Sequence, residues 1–440
     1  MGRADCAAYS LEGVAPRTII FLVKPFSICA LFVATLLALT VPFQGQASSA
    51  DVQELNGRVV LVLPFENRTG QKSLDWIGES FPETFNEGLT NAGFLPLTYE
   101  DRTYALDHLG LPVNFRPSRA TTYRLAQMLD ADVVVVGNYS LAGQRLSATA
   151  QLFQIKNVRM GPPIIQQADL PQLLEAEGAM AWQIAHALDP QFAVGQSDFA
   201  ARLQKPRLDA YENFNRGLIE SDRNERTRHL KEAVRLAPTY APALLALGRT
   251  YFAAQQWEQA AATLQHVPKT DPLGEEAGFY FGLASFYSGN YPRAEEAFAS
   301  IATQLPLAEV VNNEGVAASR HGKDGAAKFQ QAVTLDPEDA DYHYNLAVAL
   351  RRNHDNGAAM KEATRAVALR PNDTEASSLV ALLNRESMGE RSSQAAAKAG
   401  TQTDDAQPLE RIKRTYDEAS FRQAAFALEQ LKAARGRGSR

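Results

Sequence analysis

Prolines recur at a nearly constant spacing in the second half of the chain. Pro238, Pro272, Pro306, Pro337 and Pro371 lie 34, 34, 31 and 34 residues apart. A period near 34 residues with helix–turn–helix content is the sequence signature of a superhelical array of paired helices. The period therefore predicts stacked helix pairs from about residue 207, each pair burying its apolar face against the next.

The repeat unit has a regular internal order. In residues 241–272, the small residues Gly248 and Ala260 occur where paired helices would cross, and the next unit has Gly282 and Ala294 at the same offsets. Small residues at such crossings let large neighbours fill the space between repeats. These units resemble the tetratricopeptide repeat (TPR) family over residues 207–385, which implies an all-α TPR solenoid that mediates protein–protein interaction.

The chain after the repeats falls into two segments. Residues 386–408 contain almost no large apolar residue, so we predict a flexible linker there. Residues 409–440 have the apolar pattern of one further helix pair, followed by a basic tail.

The first half of the chain alternates apolar strands with amphipathic helices. The strand patterns are RVVLVLP, FLPLTY, DVVVVGNYSL and QRLSATAQLFQI, and helical patterns lie between and after them. Such alternation predicts an α/β layer in which helices pack on a sheet. We place this α/β amino-terminal domain at residues 51–195, ahead of the repeats.

Several stretches of this half carry a second family resemblance. VLPFENRTG, WIGESFPETFNEGL, LAQMLDADVVVVGNYSLAGQRLSATAQLFQ and IAHAL resemble the TolB-like amino-terminal domain, which is related to the CsgG and FlgO type of envelope proteins, over about residues 58–190. The chain departs from that family in the hairpin KNVRMGPPIIQQ and lacks the acidic or aromatic motif expected after it. The loop PFENRTG has no Lys or Ser/Thr at the spacing of a phosphate-binding loop. The resemblance implies that this loop is a structural fingerprint.

Residues 1–50 have the pattern of an export signal. Arg17 and Lys24 precede the apolar run PFSICALFVATLLALTVPF, which is followed by the small, polar stretch QGQASSA. This order predicts a signal peptide, or an uncleaved membrane anchor that would be the chain's one contact with the membrane. The positive-inside rule places the chain after Ala50 outside the cytoplasm, so we expect a bacterial protein that is periplasmic or anchored facing the periplasm.

The sequence contains no enzyme signature. Its seven histidines are scattered, and neither H-E-x-x-H nor a Cys/His ligand spacing occurs. Glu83 and Glu87 lie one helical turn apart and could act as paired carboxylates, but a solvated helix face explains them better. We predict no enzymatic activity, no catalytic residue, no metal and no cofactor. The net charge of −6 also disfavours nucleic-acid binding.

The groove of the predicted array supplies the candidate site. Aromatic and arginine side chains dominate protein interfaces, because they bury large areas and bind carboxylates in two places. The inward positions predicted from the repeat register are Arg249, Phe252, Phe279, Phe286, Tyr287, Asn312, Arg320, Tyr344, Arg351 and Arg352. This set favours an extended or helical, acidic segment of a protein partner in the cell envelope.

Two functions follow from these features. The first is an exported adaptor or scaffold, whose α/β domain docks on or senses an envelope component while the groove holds a partner segment. The alternative is a ligand-sensing module, in which the TolB-like domain binds a small molecule or glycan and the repeats relay it. A pocket lined by polar groups near PFENRTG and GNYSLAG would favour the sensor, and a solid α/β core with an open groove would favour the adaptor.

Overall fold

The computed structural model describes residues 58–112, 118–393, 408–417, 420–425 and 427–428. The predicted signal peptide or anchor over residues 1–50 lies outside them. Among the helices of the described ranges, none combines the length and apolar character that a membrane span requires.

A mixed seven-stranded sheet begins the described chain. Its strands are β1 (Val59–Val62), β2 (Glu66–Asn67), β3 (Leu95–Pro96), β4 (Val133–Ala142), β5 (Arg145–Gln154), β6 (Arg159–Met160) and β7 (Ile164–Asp169). β1 is parallel to its neighbours β3 and β4, whereas β5 is antiparallel to β4 and to β7. β2 extends the parallel pairing along β4, and β6 pairs with β5.

Helices cover both faces of this sheet. They are α1 (Trp76–Asn91), α2 (Tyr99–His108), α3 (Arg119–Met128) and α4 (Leu173–Leu188). Successive strand residues point to opposite faces. Val60 accordingly joins the core with α1 and α4, and Leu61 joins a second core with α2 and α3. The predicted α/β layer is confirmed.

The predicted strand FLPLTY is longer than the observed one. Only Leu95 and Pro96 pair with β1, and α2 begins at Tyr99. Thr98 and Asp101 form a capping box, in which each side chain bonds the other's backbone N–H. This cap starts a helix three residues after the strand and overrides the local strand pattern.

A long run of helices follows, as the proline period predicts. These helices are α5 (Gln196–Ala200), α6 (Leu208–Ile219), α7 (Arg223–Leu236), α8 (Ala241–Ala253), α9 (Trp257–Leu264), α10 (Gly274–Tyr287), α11 (Tyr291–Gln304), α12 (Ala308–Arg320), α13 (Ala326–Leu335), α14 (Ala340–Arg352), α15 (Asn356–Leu369) and α16 (Thr374–Ser393). From α6 onwards they pack in sequential pairs, which defines the array.

Glycines permit the close approach of paired helices. A Cβ atom on Gly248 of α8 would lie 2.4 Å from the side chain of Leu264 on α9. Gly282 of α10 stands in the same relation to Phe298 of α11, where the distance would be 2.8 Å. The small residues noted in the repeat pattern therefore mark the helix crossings.

The sheet domain and the array share one continuous apolar core. Tyr211 of α6 is buried, and its hydroxyl donates to the carbonyl of Ser80 on α1 at 2.8 Å. Phe199 of α5 packs so close to Gly88 of α1 that a Cβ there would lie 2.8 Å from its ring. The predicted boundaries at 195 and 207 thus fall within a packed junction.

The end of the chain differs from the sequence prediction. Residues 386–393, predicted to be linker, continue α16. Residues 409–417, predicted to begin a helix pair, form neither helix nor strand, whereas 420–425 are helical. Their backbone and side chains bond to the array, and such tertiary contacts outweigh a local helical pattern. The rest of the predicted linker and the basic tail lie outside the described residues.

Candidate functional site

Residues 408–417 run along the array without helix or strand, with a bend at Arg414; we call them the C-terminal segment. The surface that contacts them is formed by α10, α12 and α14 and by the start of α16, and we call it the repeat groove. Contacts to the backbone, to the charged side chains and to one aromatic ring hold the segment there.

Two asparagines bind the backbone of the C-terminal segment. Asn345 of α14 donates to the carbonyl of Arg411 at 2.8 Å and accepts from its N–H at 2.7 Å. Asn313 of α12 makes the same pair of bonds to Lys413, both at 2.8 Å. Asn312 adds a bond to the Arg411 carbonyl at 3.1 Å. These three asparagines are fully buried, so the bonds are shielded from water.

Arg411 is enclosed by carboxylates and an aromatic ring. Its guanidinium lies 2.6 Å from Asp373, 2.7 Å from Glu375 and 3.0 Å from Asp341. The same group stacks 3.8 Å from the ring centroid of Tyr344, within cation–π range. A planar, charged group satisfies all four contacts at once, which favours Arg at this position.

Lys413 lies in a second acidic site. Its ammonium is 2.7 Å from Asp339 and 2.6 Å from Asp341, and it lies 5.0 Å from the ring centroid of Tyr342. Asp341 therefore contacts both Arg411 and Lys413. Residues two apart in an extended chain point to the same side, so one acidic surface can receive Arg411 and Lys413 together.

Glu410 binds the opposite charge. Its carboxylate pairs with Arg352 and accepts from the hydroxyl of Ser319 at 2.5 Å. Arg320 donates to the Glu410 carbonyl at 2.9 Å. Glu410 is only 3% exposed, so its charge depends on these partners.

An aromatic cluster fixes the other end of the segment. The ring of Tyr416 lies edge-on to Phe279 of α10, with 4.9 Å between centroids, and contacts Phe421 at 4.4 Å. The N–H of Asp417 donates to Glu309 of α12 at 3.1 Å. The C-terminal segment thus spans from the start of α16 back to α10.

The helical stretch that follows reaches the α/β domain. Arg422 forms an ion pair with Asp101 of α2. Arg249 of the array also contacts this domain, at 3.0 Å from Glu100, while it pairs with Glu276 of α10 at 2.6 Å. The repeat groove is therefore adjacent to the sheet domain at its α10 end.

Electrostatics favour the ionised form of two aspartates in the groove, Asp341 and Asp373. Burial by itself would raise the pKa of Asp341, but bonds from Arg370 and Lys413 hold it well below its usual range. The hydrogen bond from Arg411 lowers the pKa of Asp373. Both aspartates therefore carry full charge at neutral pH when the segment is bound.

The predicted inward residues divide into two groups in the structure. Those that contact the C-terminal segment are Asn312, Arg320, Tyr344, Arg352 and Phe279, together with Tyr287, whose ring lies 5.5 Å from the Arg414 guanidinium. The remaining four contact residues outside the C-terminal segment. Phe252 packs on Trp257, and Phe286 packs on Tyr291. Arg351 pairs with Glu386 of α16 at 2.6 Å, and Arg249 contacts the α/β domain.

Sequence reasoning missed the acidic part of the groove. Asp339 and Asp373 are 34 residues apart, and so are Asp341 and Glu375, so the repeat period relates the four. This periodicity could have been found in the sequence. The predicted acidic ligand corresponds only to Glu410 of the observed segment, since the residues at the acidic sites are basic.

The loop PFENRTG uses its polar groups internally. Asn67 donates to the carbonyl of Gln71 at 2.8 Å and to Asp75 at 2.7 Å, and it accepts from the N–H of Thr69 at 2.8 Å. Phe65 stacks on Phe81 in the core. A cavity of about 490 Å³ lies elsewhere, beside His343 and Glu362 of the array. The geometry of this loop is that of a folded turn packed on a solid core.

Glu83 and Glu87 do not form the solvated helix face that we expected. They lie half-buried where α1 meets the array, and burial raises the pKa of Glu83 to about 8 and that of Glu87 to about 7. Nearby Glu177 of α4 is fully buried; it accepts from Thr84 at 2.7 Å, and burial raises its pKa to about 7. Glu177 joins α4 to α1 and α6 through its bonds with Ser80, Thr84 and Tyr211. Among the described residues, no group of His, Cys, Asp or Glu has the geometry of a metal site.

Comparisons with known proteins agree with the repeat assignment. Residues 227–278 match the family model described as tetratricopeptide repeat. No curated protein matches the chain. The structure combines a mixed sheet-and-helix region with a run of paired helices, of the kind that the matched repeat model describes.

Solved structures resemble parts of the chain. MamA residues 41-end from Desulfovibrio magneticus RS-1 is 24% identical, with a TM-score of 0.34, over 38% of this chain and 96% of that one. YrrB, described as a TPR protein with an unusual peptide-binding site, is 15% identical, with a TM-score of 0.36, over 40% of this chain and 92% of that one. The LpoB C-terminal domain from Salmonella enterica is 20% identical, with a TM-score of 0.23, over 26% of this chain and 84% of that one.

Proposed function

We propose that the protein is an exported adaptor whose repeat groove binds an extended segment of a protein partner in the cell envelope. The α/β domain supplies a second docking surface beside the groove. The protein acts by presenting these surfaces, without a reaction or a cofactor of its own.

The observation that carries this proposal is the pair of asparagine contacts in the repeat groove. Asn345 and Asn313 each bind the N–H and the carbonyl of one residue, and these two residues are two apart. Backbone bonds of this kind select an extended conformation in any sequence. The charged and aromatic sites beside them then select the side chains.

The small-molecule sensor has less support. Its pocket would lie near PFENRTG and GNYSLAG, where Asn67 and Thr69 bond to each other and the rings of Phe65 and Tyr139 are buried in the core. The closed packing there favours the adaptor, because a sensor would need a pocket lined by polar groups at this place.

A peptide-binding measurement tests the groove. The synthetic peptide QPLERIKRTYDE, labelled at its amino end, reproduces residues 407–418. The full chain with Arg411→Glu and Lys413→Glu keeps the groove but reverses the charges of the two side chains that fill its acidic sites. We expect this released variant to bind the peptide, as measured by fluorescence anisotropy.

Matched controls make the result specific. Adding Asn313→Ala and Asn345→Ala to the released variant should abolish binding, and the charge-reversed peptide QPLEEIERTYDE should not bind. If the released variant is folded by circular dichroism and binds neither peptide, the groove is not a peptide site and the proposal fails.

Export is tested separately. Fractionation of bacteria that express the full-length chain should place it in the periplasm or on the outer side of the inner membrane. Recovery in the cytoplasm, with the groove still able to bind peptide, would retain the adaptor and reject its envelope location.

A further inference from the structure

We infer that the C-terminal segment is a tethered competitor for the partner, so that the partner carries the same recognition pattern and must displace it. This inference rests on the proposed function. It adds two things: the chemistry of the partner segment, and a closed state of the repeat groove.

The contacts define the pattern of the partner segment. Glu410 fills a basic site, Arg411 and Lys413 fill two acidic sites, and Tyr416 fills an aromatic site. The partner therefore presents a carboxylate, then Arg, then Lys two residues later, then an aromatic residue three further on. An extended backbone at the first basic residue and at the second is required, because Asn345 and Asn313 bind there.

The order of the sites makes the pattern directional. The acid precedes the basic pair because Arg352 and Ser319 lie on one side of Asn345, while Asp339 lies on the side towards Asn313. A segment of the reverse order would put its cations beside Arg352 and its carboxylate beside the aspartates. Like charges would then face each other at both sites, and such juxtaposition disfavours the reverse order.

Covalent attachment gives the C-terminal segment an advantage over a free peptide. Residues 394–407 connect it to α16, so its concentration at the groove is intramolecular. Effective concentrations for short linkers reach about the millimolar range. A free segment with the same contacts must exceed this value or gain further contacts, which an additional surface on the partner can supply.

The adjacent α/β domain is coupled to the exchange. Displacement of the segment removes the contact between Tyr416 and Phe279. It also removes the support for the ion pair between Arg422 and Asp101, because Arg422 follows the segment in the chain. The face of α2 around Asp101 then becomes accessible together with the groove. A partner that binds both surfaces would make additional contacts with α2. The free energy of these contacts would offset the contacts that are lost when the C-terminal segment leaves the groove.

Competition is tested by comparing three full-length proteins with the labelled peptide QPLERIKRTYDE. These are the wild type, the released variant Arg411→Glu with Lys413→Glu, and a matched control with Arg365→Glu and Lys361→Glu on α15. We expect the wild type and the control to bind at least about 10-fold more weakly than the released variant.

The outcomes separate this inference from the proposed function. Equal affinity of wild type and released variant would overturn the competition while leaving a peptide-binding groove. Absence of binding to the folded released variant would overturn the proposed function itself. Light scattering adds a further check: a wild-type dimer that the released variant does not form would place the segment in a second copy, against a tether within one chain.

Discussion

The side-chain amide of Asn345 binds both polar groups of the Arg411 backbone, the N–H at 2.7 Å and the carbonyl at 2.8 Å. Asn313 repeats this contact at Lys413. Recognition of an extended chain thus depends on two neighbouring first helices of the array, α12 and α14, each of which offers a buried asparagine for this contact. The side chains of the bound segment then decide which sequence fits.

The asparagines are expected to keep the C-terminal segment bound. In the double variant Asn313→Ala with Asn345→Ala, four backbone bonds are lost, and each unsatisfied buried group costs about 1–3 kcal/mol. Trypsin should then cleave after Arg411 and Lys413 at least about 10-fold faster than in the wild type. Asn353→Ala is the control, since Asn353 is exposed and bonds Asp324. Unchanged cleavage in the double variant would show that other contacts hold the segment.

Binding of the C-terminal segment should weaken in acid. The pKa values of Asp341 and Asp373 are lowered while the segment is bound, so their contribution is present above the ordinary value of 3.8 and is lost as the pH falls through the lowered values. A dye on Leu409→Cys should show constant anisotropy down to about pH 4 and a fall below it. In Asp341→Asn the anisotropy should already be lower at neutral pH, whereas Glu338→Gln should match the wild type. Equal anisotropy for both variants would contradict the role of Asp341.

Glu177 should make the stability depend on pH. Its pKa rises from 4.5 to about 7 on folding, because burial disfavours its charged form. A raised pKa means that stability is highest at low pH and decreases as the pH rises from about 4.5 to about 7, by roughly 3 kcal/mol. Glu177→Gln should remove the contribution of Glu177 to the pH dependence of the unfolding free energy. The pH dependence that Glu83 and Glu87 produce should remain. Urea unfolding at several pH values measures it, and an unchanged slope in the variant would refute the assignment.

The pair of Arg102 and Glu79 should matter far more for stability than a surface pair. Both side chains are 3% exposed, so Arg102→Ala leaves a buried carboxylate without its partner, at a cost of about 3–5 kcal/mol. Arg365→Ala breaks an ion pair whose side chains are 44% and 73% exposed, and should cost at most about 1 kcal/mol. Thermal unfolding of the two variants gives the comparison, and similar melting temperatures would argue against the burial of the first pair.

The loop PFENRTG should prove structural when its packing is disturbed. A Cβ on Gly78 of α1 would lie 2.5 Å from the carbonyl oxygen of Phe65, and that backbone atom cannot move without breaking the strand end. Gly78→Ala should therefore destabilise by more than about 1 kcal/mol, in the range of overpacked cores. Gly195→Ala, where the space around a Cβ is open, should be nearly neutral. A stable Gly78→Ala protein would mean that the loop can shift.

Local patterns in the sequence determined the two architectures. The proline period and the small residues at Gly248 and Gly282 predict the helix crossings, because a repeated unit contacts only its neighbours and its contacts have a fixed offset. The continuous apolar run of β1 likewise predicts a strand that is buried on both faces. The same period predicts ten inward positions in the array. Six of them, Asn312 and Tyr344 among them, contact the C-terminal segment.

Tertiary structure alone decided what occupies the groove. Arg411 and Asp373 are distant in the sequence, and no local periodicity relates the C-terminal segment to the array. The apolar pattern of the segment also suits a helix. The path of the segment along the groove could therefore not be inferred from the sequence. The burial of Glu83 likewise depends on α1 meeting the first repeats. Local spacing specifies which elements form, whereas charge pairing and desolvation depend on which elements meet, and that is settled only when the whole chain packs.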